Sequence, residues 1–193
     1  MKRISRDEIL SRIQTFFDSC PEIRAHHLHG SLSTGNNDRY SDIDIKIDVS
    51  GYDNGEFMLR LPGLLSEHFE INYIAHAPLF IPDLYLVTIH FADTDVFHFI
   101  DIECLARPHV QTVQKDHPAF SPHKGNVRFK LLVNCLKSYL RGNTDTSLID
   151  KISGSLNIRE QSDRDTLYAC FYHYKKTGPE NIGETATAAL QYL

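Results

Sequence analysis

Polar and apolar residues alternate along 41–49, where Asp42, Asp44, Lys46 and Asp48 are separated by Ile43, Ile45 and Ile47. A period of two belongs to a strand with one apolar and one polar face. A longer period governs the N-terminus. Ile9, Leu10, Ile13, Phe16 and Phe17 recur at helical spacing behind Ser5-Arg6-Asp7-Glu8, which has the form of a capping box. That helix should end before Pro21. The same reading predicts strands over 23–29, 41–49, 71–77, 84–91 and 96–104. The last two should form a hairpin joined by Ala92-Asp93-Thr94-Asp95. Residues 56–69 read as a helix interrupted near Pro62-Gly63. Gly30 to Gly35 reads as a small polar turn opening a short helix.

The pattern changes character after Arg107-Pro108. Phe129, Leu132, Val133, Leu136 and Leu140 form one helical stripe, stopped by Gly142. Residues 160–176 form a second helix, stopped by Gly178, and 184–193 a third. The expected organisation is a domain over 1–108 and a helical domain over 109–193. The expected class is α/β (α+β), a mixed sheet flanked by helices and followed by a C-terminal helical region.

Composition narrows the function classes. The chain has 193 residues, enough for one domain or two small ones. No apolar run approaches membrane-spanning length, so no membrane partner is expected. The charged, amphipathic N-terminus is not a secretory signal. Four cysteines, Cys20, Cys104, Cys135 and Cys170, lie far apart without Cys-x-x-Cys spacing. That argues against zinc and fits free thiols in a cytoplasmic protein. Net charge is −5, and no basic run is interleaved with aromatics. Nucleic acid is therefore not an expected partner, and a small or cationic acceptor suits the chain better.

Within this frame the acidic strands stand out. Asp42 and Asp44 share one strand face, where a carboxylate pair at ~4 Å costs on the order of 4 kcal/mol at an effective dielectric of about 20. A divalent cation would offset that repulsion. A second strand carries Asp101 and Glu103 on one face, inside Phe-Ile-Asp-Ile-Glu. Gly30-Ser31 closes the strand that precedes them. Gly30 permits close backbone approach to a phosphate, and Ser31 offers a hydroxyl and an N–H. The structural alternative for Gly30-Ser31 is a plain strand-to-helix turn, and for Asp42/Asp44 the wet side of an edge strand. Lys46 lies on the carboxylate face, where it can meet a phosphate or pair with a neighbouring acid. Of eleven histidines, His29 is singled out because it abuts Gly30.

Apolar-Gly-Ser, then Asp-x-Asp, then a later carboxylate on an apolar strand resembles the polymerase-β-like nucleotidyltransferase superfamily. The resemblance covers roughly residues 22–105 and is closest to the small bacterial aminoglycoside, lincosamide and minimal nucleotidyltransferases. It implies a nucleotidyltransferase-fold sheet and transfer of a nucleoside monophosphate, AMP from ATP by analogy, to an acceptor hydroxyl. A small molecule such as an antibiotic would be the acceptor. It further implies two Mg²⁺ ions, with Asp42, Asp44 and Asp101 as metal ligands and Gly30, Ser31 and Lys46 facing the nucleotide. Asp101 is third ligand or proton acceptor, and Glu103 is the other candidate for the base. A second subunit can complete such pockets, so a homodimer is compatible with the resemblance. Two alternatives stand beside this reading: a minimal nucleotidyltransferase that modifies a protein partner, as in toxin–antitoxin pairs, and a silent nucleotide-binding homologue.

Overall fold

Helix α1 (Arg6–Ser19) starts where the sequence places its cap, with the Ser5 hydroxyl accepting from the Glu8 N–H at 3.2 Å. It buries Ile9, Ile13 and Phe17, one stripe at successive helical turns. The computed structural model describes residues 3–78, 84–105, 117–118 and 124–193. The chain divides into two units, Met1–Pro122 and His123–Leu193. The boundary expected at 108/109 lies outside the described residues.

The first unit continues with β1 (Ala25–His29), α2 (Gly30–Thr34), β2 (Ile43–Asp48), α3 (Asn54–Ser66), β3 (Ile71–Pro78), β4 (Leu84–Phe91) and β5 (Ile100–Leu105). The five strands form one mixed sheet in the order β1-β2-β5-β4-β3. β2 and β5 run parallel, and the other neighbours are antiparallel. Alternation along β2 sends Ile43, Ile45 and Ile47 to one face. The cross-strand register aligns them with Ile100, Ile102 and Cys104, and aligns Ile100 and Ile102 with Ile89 and Val87. α1 and α3 contribute Ile9, Ile13, Phe17, Phe57, Leu61 and Leu65 to the same core. Each such fully buried aliphatic or aromatic side chain contributes roughly 1.5–3 kcal/mol. The polar half of β2 is thereby committed to the opposite face.

Two elements of the first unit show why the sequence reading departs from the structure. α3 is continuous through Pro62 rather than interrupted there. Proline removes the N–H that would bond the carbonyl four residues back, and that carbonyl, Met58 O, instead accepts from His76 Nε2 at 3.2 Å. The β4–β5 connection is also longer than expected, because β5 begins at Ile100 rather than at Val96. Asp93 adopts φ 59°, Thr94 Oγ1 donates to Phe91 O at 2.7 Å, and Asp95 O accepts from His98 N at 2.9 Å. These local bonds use up backbone groups that a longer ladder would need.

The second unit is helical: α4 (Lys124–Leu140), α5 (Thr146–Ser155), α6 (Asp163–Thr177), α7 (Glu180–Ala189) and a final 3₁₀ turn (Leu190–Tyr192). Phe129 of α4 meets the Phe171 and Tyr174 rings of α6 edge-on, with centroids 6.1 and 5.2 Å away. Among the described residues no helix is long and apolar enough to cross a membrane.

Candidate metal centre on the polar face of the sheet

The register writes a single polar row across the sheet. His29 of β1 pairs with Asp44 of β2, Asp44 with Asp101 of β5, and Asp101 with Thr88 of β4. Paired residues on adjacent strands present their side chains to the same face, so the row collects two carboxylates from strands far apart in sequence. Asp42 joins them from just before β2. Ligand oxygens of Asp42, Asp44 and Asp101 all lie within 4.8 Å of one another, and the three residues are half-buried.

Asp42 is placed by the loop before it. Asp38 and Ser41 close a tight turn, with Ser41 Oγ donating to Asp38 Oδ1 at 3.0 Å and Ser41 N donating to Asp38 O at 3.2 Å. From α1, the Arg6 guanidinium donates to Asp38 O at 2.7 Å and to Ser41 O at 3.3 Å. Ile43 N then donates to Phe99 O at 2.9 Å, which joins the loop to the strand before β5 begins. Sequence reasoning did not find Arg6, Asp38 or Ser41 as supports. An Asp-x-x-Ser turn signal was visible at 38–41, but nothing in the sequence linked Arg6 to it across the chain.

Gly30 is required by the same centre. Its φ is +67°, and a Cβ there would stand 2.2 Å from Asp44 Oδ2. The backbone thus passes directly against the carboxylate. Ser31 follows in the first turn of α2 and is half-buried.

Asp101 and Glu103, inseparable by strand phase, have different surroundings. Thr88 Oγ1 donates to Asp101 Oδ1 at 2.5 Å, and Asp101 meets the other two aspartates. Glu103 pairs one step further along with Lys46, Nζ to Oε2 3.4 Å. His29 Nε2 lies 3.9 Å from Glu103 Oε1, too far for a hydrogen bond. Burial holds the His29 imidazole below the usual histidine pKa; Glu103 opposes that shift and Lys46 reinforces it. Lys46 is therefore engaged by Glu103, and Glu103 stands outside the group of three aspartates.

Three carboxylates within 4.8 Å of one another repel by at least about 3.5 kcal/mol per pair at an effective dielectric of about 20. The donor set is all oxygen and anionic, which suits a hard cation such as Mg²⁺ rather than zinc. In residue type and clustering the three aspartates fit such an ion.

No protein-family model and no curated protein matches the chain. Solved structures that resemble it include two complexes. One is a GLD-2/RNP-8 complex, at 14% identity and TM-score 0.34, covering 92% of this chain and 58% of that chain. The other is a poly(A) polymerase complex of GLD-2 with GLD-3, at 15% identity and TM-score 0.35, covering 92% of this chain and 52% of that chain. The chain spans little more than half the length of either. Similarity at this level assigns no function.

Proposed function

We propose that this protein is a divalent-metal-dependent nucleotidyltransferase acting on a hydroxyl of a small molecule. The observation that carries the reading is the convergence of Asp42, Asp44 and Asp101 on one sheet face, with the Gly30 backbone pressed against Asp44. In the reaction, the acceptor oxygen forms a bond to the α-phosphorus of an NTP, ATP by the resemblance. The Pα–O bond to the β-phosphate breaks, and pyrophosphate leaves with that electron pair. Bound Mg²⁺ would activate the attacking oxygen and neutralise the phosphates. Asp42, Asp44 and Asp101 would hold the metal, while Gly30 and Ser31 would line the approach of the triphosphate. Lys46 and Glu103 set the charge behind the aspartates. The hydroxyl proton leaves through Asp101, Glu103 or water. Net charge of −5 favours a neutral or cationic acceptor over a polyanion. No described residue selects an antibiotic among small hydroxyl acceptors.

The test needs no acceptor. Thermal unfolding is followed with each NTP, with and without Mg²⁺, for the wild type and for the Asp42→Asn/Asp44→Asn double variant. A ligand at about 100 times its Kd stabilises the folded state by ~2.7 kcal/mol. The expected result is a Mg²⁺-dependent shift with at least one NTP that the double variant loses. A wild type unmoved by every NTP, or a double variant that still responds, would overturn the assignment.

A further inference from the structure

Thr88 is the one hydroxyl in β4 placed opposite the aspartates, and it is only 3% exposed. Val87 and Ile89 on either side of it turn to the apolar face. A buried hydroxyl without a partner costs about 1–3 kcal/mol. Asp101 Oδ1 meets that need at 2.5 Å. The register makes Thr88 and Asp101 direct partners across β4 and β5, and a β-branched side chain in a strand has restricted χ1. The direction of the donated proton is therefore set by the sheet and not by a flexible arm.

From this geometry we infer that Thr88 is a positioning residue that fixes the Asp101 carboxylate as a metal ligand. A carboxylate offers two oxygens and about four acceptor sites, so one hydroxyl on Oδ1 orients its plane without using up the group. Among the described residues no hydroxyl donates to Glu103; Lys46 Nζ lies 3.4 Å from it in the next row. Outer groups of this kind orient first ligands and typically change metal affinity 10–100-fold when removed. This inference rests on the proposed metal centre, and its test separates the two.

Mn²⁺ serves as the probe, titrated against the full chain by calorimetry, with unfolding temperature measured on the same metal-free samples. Thr88→Val keeps the shape and removes the donor. It should weaken Mn²⁺ binding by about 10–100-fold, whereas Thr88→Ser stays within about threefold because it keeps the hydroxyl. In an Asp101→Asn background, Thr88→Val should add nothing, the signature of one residue acting through the other. If Thr88→Val does not fold, Thr88→Ala against Thr88→Ser asks the same question, since both lack the methyl group and differ in the hydroxyl. Binding that falls in Asp44→Asn but not in Thr88→Val overturns the role of Thr88 and leaves the metal centre standing. A wild type that binds no Mn²⁺, or binds it equally after Asp44→Asn, overturns both.

Discussion

Gly30 lies so close to Asp44 that a side chain at position 30 has no room. Adding a methyl group at Gly30 meets Asp44 Oδ2 at 2.2 Å in a left-handed backbone conformation, which by itself costs about 1–2 kcal/mol for an L-residue. Gly30→Ala should therefore lower the unfolding temperature and also weaken Mn²⁺ binding, because the clash is with a ligand. Calorimetric unfolding and Mn²⁺ titration check both effects. The acidic group makes an opposite prediction for stability. Without metal, Asp42 adds repulsion to a set whose oxygens lie within 4.8 Å. Asp42→Asn should raise the unfolding temperature in EDTA by roughly 2–4 °C per kcal/mol relieved. In saturating Mg²⁺ the order should reverse, since the wild type gains the ligand's binding energy. A variant less stable than wild type in EDTA would show that Asp42 is held by structural bonds rather than tolerated for a cation.

At the scale of elements, α3 depends on β3 for a bond that proline withdraws. Met58 O, left without its helical donor by Pro62, takes one from His76 Nε2. Burial lowers the His76 pKa, and the Met58 carbonyl opposes that shift. The sign follows from proton uptake. The unfolded chain protonates near 6.5 while folded His76 resists, so its contribution is complete above about pH 6.5 and is lost as pH falls below it. The slope is at most about 1.4 kcal/mol per pH unit. His76→Gln should flatten the loss of unfolding temperature between about pH 7 and pH 5.5, and an unchanged slope would place the proton uptake elsewhere. Other elements show how far local signals reach. The Ser5 cap and the stripe of α1 were legible because both lie within one helix. α5 escaped sequence reading although Asp145 caps it, accepting from Leu148 N at 3.0 Å. Its ten residues were too short to show a clear period. The interruption expected at Pro62 failed because the rescuing donor comes from another element.

At the scale of the whole molecule, twenty basic residues face twenty-five acidic ones, and a polyanion gains little by releasing counterions to such a chain. A single-stranded RNA of about 20 nucleotides should show no salt-sensitive binding by fluorescence anisotropy near 0.15 M salt. Tight binding that weakens steeply with salt would move the acceptor from small molecules to nucleic acid. The sequence by itself determined the alternation of β2, the Gly-Ser turn, the candidate acids and the division into a strand-rich half and a helical half. Each is a local pattern of side-chain chemistry against a backbone period. Tertiary structure alone decided which acids meet. Strand phase places Asp101 and Glu103 on one face and cannot rank them. The parallel register of β2 on β5 sets Asp101 beside Asp44 and Glu103 beside Lys46, and the register of β4 on β5 delivers Thr88 to Asp101. Cross-strand register depends on the packing of the apolar face over the whole sheet, so no window of sequence contains it.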